Sequence, residues 1–228
     1  MIVELKLPKY KVTLPISGIS VEFRPFTVKE EKILLLAKEE NDVADVIRSI
    51  GQIISNCTFG KCDIETLKKV DAEYLFIQIR NKSMGEGVDI TATCKECSAK
   101  TEMTINFDNI RVKNIDKVEN KPIQITEDVW ITVTYPSIKE SMSLPENDGI
   151  SALALALDTI IEGEDEKKAS DYTMAERVEL IESFTSEQLN LFKPFLDGFP
   201  TLILDIVFTC KCGYKNEIAI EGIESFFV

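Results

Sequence analysis

Two cysteine turns, far apart in the chain, constrain its fold more than any other feature. The first is Thr93-Cys94-Lys95-Glu96-Cys97-Ser98 and the second is Thr209-Cys210-Lys211-Cys212-Gly213-Tyr214. Each lies between two runs that alternate as β-strands do: Gly87–Thr93 and Thr101–Phe107 around the first, Thr201–Thr209 and Tyr214–Ile220 around the second. Val88, Ile90 and Ala92 form one apolar row and Met103, Ile105 and Phe107 the next. Leu202, Leu204, Ile206 and Phe208 face Ile218 and Ile220 in the same way. A strand, a tight turn bearing two thiols and a returning strand make a zinc knuckle, and two knuckles make a zinc ribbon. C-x2-C spacing brings two sulfurs to one cation at about 2.3 Å, and Zn2+ takes four such ligands at tetrahedral corners. The tighter C-x-C turn can do the same, because Gly213 tolerates a positive φ. The expected ligands are therefore Cys94, Cys97, Cys210 and Cys212, holding one structural Zn2+ per chain. Iron is the alternative for an all-thiolate set, and two pairs of ordinary buried or free thiols the alternative without metal.

Composition narrows the chemistry further. The 228 residues contain no histidine, which excludes Ser-His-Asp, Cys-His and HExxH arrangements. No glycine-rich phosphate cradle of the P-loop or dinucleotide type occurs. An enzyme would have to work with carboxylates, lysines or thiols alone, and four cysteines closed around a cation leave no open coordination position. The expectation is a protein that is not an enzyme and has no small-molecule substrate. With 39 acidic and 26 basic residues the net charge is −13, which disfavours nucleic acid and anionic membrane as partners. No stretch reaches the roughly 18 consecutive apolar residues of a membrane span. Six cysteines without a secretory h-region suggest a reducing compartment and thiolate–metal chemistry rather than disulfides.

Along the chain, Lys9–Leu14 and Ile19–Phe23 read as a hairpin around Pro15-Ile16-Ser17-Gly18. Thr27 and Glu30 form a capping box opening a helix to about Lys38, with Ile33, Leu34, Leu35, Leu36 and Ala37 as a broad apolar face. A second helix follows to about Ser55, with Val43, Val46, Ile47, Ile50, Ile53 and Ile54 at helical spacing. Cys57 and Cys62, in the loop after it, are expected as buried thiols without metal. Asp63 caps a short helix through Val70, and Asp71 caps another from Ala72 to about Ser83. Ile123–Ile125 and Val129–Thr134 read as a hairpin, and Ile150–Ile161 as a strongly apolar helix. The charged run Glu162–Lys168 is expected to be a mobile loop. Thr173 with Glu176 caps a further helix, and Thr185 or Ser186 another, before Pro200 precedes the second knuckle.

The pattern describes an α+β protein folded as a single domain over 1–228. It comprises a β-hairpin region (1–26), a helical region (27–86), zinc-ribbon halves (87–107 and 201–220) and an inserted mixed α/β segment (108–200). Neither ribbon half completes the site alone. Closing the loop of about 110 residues between them costs entropy only logarithmically, and a metal clip can offset it.

Four stretches together resemble a known family. They are Val21-Glu22-Phe23-Arg24-Pro25-Phe26-Thr27-Val28-Lys29-Glu30-Glu31, Tyr74-Leu75-Phe76-Ile77-Gln78-Ile79-Arg80-Asn81-Lys82-Ser83-Met84-Gly85-Glu86, the Cys94/Cys97 and Cys210/Cys212 pairs, and Ile220-Glu221-Gly222-Ile223-Glu224-Ser225-Phe226-Phe227. In order and spacing the chain is similar to the baseplate hub proteins of T4-like contractile-tailed bacteriophages, least so over 113–170. The resemblance implies a non-enzymatic structural or assembly component of the baseplate hub, in contact with other hub and tail proteins. Its location would be the virion tail and, during assembly, the host cytoplasm. A permanent hub subunit and an assembly factor that leaves are both compatible with it. The competing class is a zinc-ribbon adaptor in transcription or nucleic-acid processing. That class calls for basic residues around the turns, whereas Lys95, Lys100, Lys211 and Lys215 are interleaved with Glu96, Glu102 and Glu217.

Phe226 and Phe227 have two possible destinations, this chain's own core or a hub partner, since buried aromatics often anchor interfaces. Truncation after Glu221 separates them. Unchanged thermal melting with loss of partner binding assigns the aromatics to docking, and a large fall in melting temperature assigns them to the core.

Overall fold

The longest strands of the protein are those that carry the cysteine turns. The computed structural model describes residues 6–40, 43–85, 87–115, 122–142 and 148–221. The expected role of Phe226 and Phe227 therefore falls on residues outside the described ones. The fold is mixed α+β, built of small antiparallel sheets and helices. The chain divides into two compact units. The first comprises 1–63, 70–113 and 201–228, and the second 64–69 and 114–200.

In the first unit β1 (Tyr10–Thr13) pairs antiparallel with β2 (Ser20–Phe23). The connecting loop closes through Leu14 N–H to Ile19 O at 2.8 Å, with Gly18 at φ 68°. Helix α1 (Val28–Glu40) follows, but only half of the expected capping box forms. Thr27 donates both its N–H, at 2.7 Å, and its hydroxyl, at 2.9 Å, to the Glu30 carboxylate. The Glu30 N–H bonds the Thr27 carbonyl at 2.9 Å. Arg24 draws the carboxylate into this position with two bonds of 2.6 and 3.0 Å. The broad apolar face expected on α1 is also narrower than anticipated, because Leu35 and Leu36 are 55% and 62% exposed. A run of consecutive leucines must point around the helix, so part of it faces water.

Helix α2 (Val43–Cys57) buries Ile50, Ile53, Ile54 and Cys57 completely, the i, i+3, i+4, i+7 stripe that its periodicity anticipates. The sequence reading of two helices around Asp63 and Asp71 is corrected by the structure. One helix, α3, runs from Lys69 to Met84, and Asp71 sits in its first turn. Asp71 is fully buried, and its carboxylate accepts the N–H groups of Ile16 and Ser17 at 2.8 and 2.9 Å. It caps the β1–β2 loop rather than its own helix. Leu75, Phe76, Ile77 and Ile79 are all buried, so α3 has no solvent stripe wide enough to give a clear amphipathic pattern. Arg80 lies half-buried with its guanidinium 4.8 Å from the centre of the Phe107 ring.

Strands β3 (Gly87–Thr93) and β4 (Lys100–Asn106) form the first long hairpin, in register from Gly87↔Asn106 to Thr93↔Lys100. The short β5 (Arg111–Lys113) pairs with the start of β10 (Thr201–Thr209), which pairs along its length with β11 (Lys215–Glu221). The anticipated inward rows meet in one core. Ala92, Ile105 and Phe107 pack with Leu202, Leu204, Ile206 and Phe208, and with Val70 and Ile77 of α3. Cys94 and Cys210 belong to the same cluster.

The second unit is a four-stranded antiparallel meander. It runs in the order β6 (Ile123–Gln124), β7 (Val129–Val133), β8 (Leu157–Glu162), β9 (Asp165–Lys168). Two expectations are corrected here. The apolar helix expected over 150–161 stops at Ala156 (α5, Gly149–Ala156), and Leu157 begins a strand. Thr159, Ile160 and Ile161 are β-branched and pair with Thr132, Ile131 and Trp130, and the Ala156 carbonyl accepts Thr134 N–H at 2.7 Å. The run Glu162–Lys168 is no loose loop but the tight β8–β9 hairpin, with Glu162 opposite Asp165 and Gly163 at φ 61°. α4 (Ile138–Met142) precedes α5, and α6 (Met174–Glu182), α7 (Ser186–Asn190) and α8 (Lys193–Leu196) follow. The box of Thr173 with Glu176 forms in full, as does one of Thr185 with Gln188. Ile131, Val133, Leu153, Leu157, Ile181 and Phe192 make the core of this unit.

The Arg24–Glu30 pair generates a pH prediction. Burial pushes the Glu30 carboxyl up, but hydrogen bonds from Arg24 and from Thr27 outweigh it and hold the group below its ordinary value. A carboxyl depressed on folding adds stability above its unfolded pKa, and this is lost as pH falls through the folded value. Glu30→Gln should lower stability at neutral pH by roughly 2 kcal/mol, as expected for losing charge-assisted hydrogen bonds in a partly buried pair. It should also flatten the acid limb of the melting profile. Melting curves of both proteins from neutral to acid pH check this, and parallel profiles would contradict it.

Candidate metal centre

The geometry of the two turns starts with backbone hydrogen bonds. In the first turn Cys94 N–H bonds Ala99 O at 2.9 Å and Ser98 N–H bonds Cys94 O at 3.0 Å, with Ser98 at φ 58°. In the second, Cys210 N–H bonds Tyr214 O and Gly213 N–H bonds Cys210 O, both at 2.9 Å, and Gly213 takes φ 88°. The positive φ anticipated for Gly213 is thus required by the C-x-C turn. A side chain there would be strained by its own backbone.

Each turn projects two sulfurs, and the packing of β3–β4 with β10–β11 brings the pairs together. The Sγ atoms of Cys94, Cys97, Cys210 and Cys212 all lie within 4.8 Å of one another. Two contacts cross between the turns, 3.6 Å for Cys97 to Cys210 and 3.8 Å for Cys94 to Cys212. Four thiolates around a tetrahedral ion at 2.3 Å stand roughly 3.8 Å apart, so this spacing fits a single cation. It is too long for disulfides, and all six cysteines are free. An all-sulfur, four-membered set can hold a soft or borderline ion such as Zn2+ or iron, and is a poor cage for Mg2+ or Ca2+. Cys94 and Cys210 are buried, whereas Cys97 and Cys212 are exposed. One flank of the cluster therefore faces the core and the other faces water.

Four sulfurs this close cannot ionise independently. Burial raises the Cys94 thiol, but the backbone N–H groups of Cys97 and Glu96 and the Asn216 amide pull it down to about 6. The Ala99 N–H draws Cys97 down, yet its sulfur neighbours together with burial push it up to about 12. The cluster thus holds both a sulfur disposed to carry charge and one that retains its proton, the state a cation would replace with four thiolates.

Cys57 and Cys62 lie elsewhere. Cys57 ends α2, where burial and the Glu30 carboxylate push its thiol up to about 12 while Arg24, donating to its sulfur at 3.7 Å, opposes them. Burial also raises Cys62, with a hydrogen bond from Thr58 acting against it. One residue of the centre escaped the sequence reading altogether. Asn216 is 0% exposed and bonds both turns at once. A signal was present: Asn216 continues the inward row of Ile220 and Ile218, so a polar side chain stands where the alternation calls for an apolar one.

With fold and site in view, the kinship of the chain can be stated. It belongs to a family of phage tail proteins, described as T4 bacteriophage base plate protein, which matches residues 7–228. Among individual proteins it is similar to the baseplate hub assembly protein gp26 of Enterobacteria phage T4. The two are 23% identical over 227 residues, covering 96% of this chain and 98% of that protein. No solved structure matches the chain. The T4-like baseplate hub resemblance of the four sequence stretches is thereby borne out.

Raised thiol pKa values and burial make Cys57 and Cys62 poor nucleophiles, because the thiolate is the reactive species. In chelator-treated native protein at neutral pH, iodoacetamide should label Cys212 and leave Cys57 and Cys62 unmodified. Peptide mass spectrometry reads the outcome, and labelling of Cys57 as fast as Cys212 would contradict the assignment.

Proposed function

We propose that this chain is an assembly component of the baseplate hub of a T4-like bacteriophage and that it works through protein–protein contacts. The observation that carries this reading is the end-to-end correspondence with the hub assembly protein of phage T4, over 98% of that protein's length. Its partners are other hub and tail proteins, and its place is the tail baseplate, reached from the host cytoplasm during assembly.

In the same reading the four clustered cysteines hold one structural Zn2+, which joins the two hairpins as the halves of a split zinc ribbon within unit 1. The donor set and the cross-turn spacing support zinc, and a tetrahedral site closed by four protein sulfurs offers no position for a substrate. The role is therefore to hold the fold and not to catalyse. Among the described residues no helix is long and apolar enough to cross a membrane. The nucleic-acid adaptor reading is weakened by what the lysines near the turns do. Lys215 pairs with Glu217 at 2.9 Å, and Lys95 Nζ donates to the Glu217 carbonyl at 2.9 Å. These two cations are engaged within the protein, and the acidic whole repels phosphate.

Two measurements test the proposal together. Metal analysis should give about one zinc per chain, lost in Cys212→Ser and kept in Cys62→Ser. A full zinc equivalent in a Cys94→Ser/Cys210→Ser double variant would refute the ligand set. Affinity capture from infected cells should recover hub and tail proteins, with no cell-wall hydrolysis in a parallel assay. Wall hydrolysis abolished by a single Asp or Glu substitution would overturn the non-enzymatic reading.

A further inference from the structure

We propose that Asn216 is a positioning residue of the metal centre. Its amide donates a hydrogen bond to the Cys94 sulfur and locks the two cysteine turns at the spacing one cation requires. The inference rests on the four-cysteine metal reading above and adds to it a buried amide that bonds both turns.

An amide removed from water is costly unless its polar atoms are paired, and Asn216 is 0% exposed. All of its capacity on the nitrogen side is used. Nδ2 donates to Cys94 Sγ at 3.4 Å and to Tyr214 O at 3.3 Å, while Oδ1 accepts the Lys95 N–H at 2.9 Å. A backbone N–H can only donate, so the Lys95 bond determines which end of the amide is oxygen and places the nitrogen against sulfur. Two partners belong to the first turn and one to the second, so a single rigid side chain spans both.

The choice of sulfur has a physical reason. A thiolate bound to a cation still carries charge that must be solvated. Cys97 and Cys212 are exposed and can obtain this from water, whereas Cys94 is 1% exposed and must obtain it from protein donors. An N–H directed at the sulfur stabilises the thiolate over the thiol and orients its lone pairs, the role that outer-shell partners play at metal sites. Because the same amide grips the Lys95 backbone and the Tyr214 carbonyl, metal affinity and the docking of the two hairpins are coupled through it.

The test uses the full chain loaded with Co2+, whose absorption reports the sulfur–metal bond directly, as wild type, Asn216→Asp and Asn216→Ala. Asn216→Asp keeps size and the acceptor for Lys95 N–H but sets a carboxylate oxygen against the Cys94 thiolate. It should lose roughly 10–100-fold in affinity, measured by chelator competition. Its thiolate-to-cobalt charge-transfer band should move to longer wavelength, because a sulfur freed of its hydrogen bond gives up an electron more readily. Asn216→Ala should shift the band the same way. If it fails to fold, Asn216→Asp, which leaves Lys95 paired, carries the test. A wild-type chain that takes up no Co2+ or Zn2+ overturns the metal reading and this inference with it. A wild type that binds metal, with variants matching it in band position and affinity, overturns this inference alone. Lower melting temperature with an unmoved band would make Asn216 a structural brace only, and also overturns it.

Discussion

The approach of four sulfurs from two distant hairpins is the constraint on which the first unit depends. Cys94 and Cys97 sit between β3 and β4, Cys210 and Cys212 between β10 and β11, and most of the second unit, 114–200, is strung on the chain between them. Loop-closure entropy grows slowly with length, about 0.6 kcal/mol per doubling, so a large insertion between the halves is thermodynamically tolerable. What the halves need is a contact strong enough to define their register. The inward rows Ala92–Ile105–Phe107 and Leu202–Leu204–Ile206–Phe208 supply the apolar part. That part is non-directional and allows sliding, whereas sulfurs 3.6 to 3.8 Å apart across the turns do not.

Polar groups in the interior of this unit serve the same end, joining elements that are distant in sequence. Asp71 of α3 holds the β1–β2 loop, Arg24 ties β2 to Glu30 of α1 and to Cys57 of α2, and Ser83 accepts the Phe26 N–H at 2.9 Å. Each is buried or half-buried and pairs groups that would otherwise be stranded away from water. The family resemblance runs through these stretches. Arg24-Pro25-Phe26-Thr27 looks in sequence like a strand leading into a capped helix, yet its arginine and threonine converge on one carboxylate. The second unit relies instead on local devices, two complete capping boxes and a meander of short strands.

Much of the fold was legible because its signals are local. The strands around both cysteine turns follow the alternation of Val88–Ile90–Ala92 and Leu202–Leu204–Ile206–Phe208 to within a residue, and Thr173 with Glu176 marks a helix start without tertiary help. The misreadings occurred where local chemistry permits two answers. Ile150–Ile161 is a predominantly apolar run, and periodicity does not separate a buried helix from a buried strand within it; pairing with β7 makes the second half a strand. Leu35 and Leu36 looked like core and are exposed, because hydrophobicity alone does not say which side of a helix meets a partner. Asp71 looked like an N-cap and is instead used by a loop 54 and 55 residues away.

The candidate centre divides in the same manner. By itself the sequence determined that the protein is α+β, that Cys94, Cys97, Cys210 and Cys212 are the cysteines in tight turns between strands, and that Gly213 has the freedom its turn requires. These are properties of spacing and residue type, and they hold whatever the rest of the chain does. Only the tertiary structure decided that the two turns face each other, that Cys94 and Cys210 lie inward while Cys97 and Cys212 meet water, and that Asn216 reaches across between them. Those facts depend on the packing of residues more than a hundred positions apart. Such packing follows from the summed burial of whole strands, which no local pattern around a single cysteine contains.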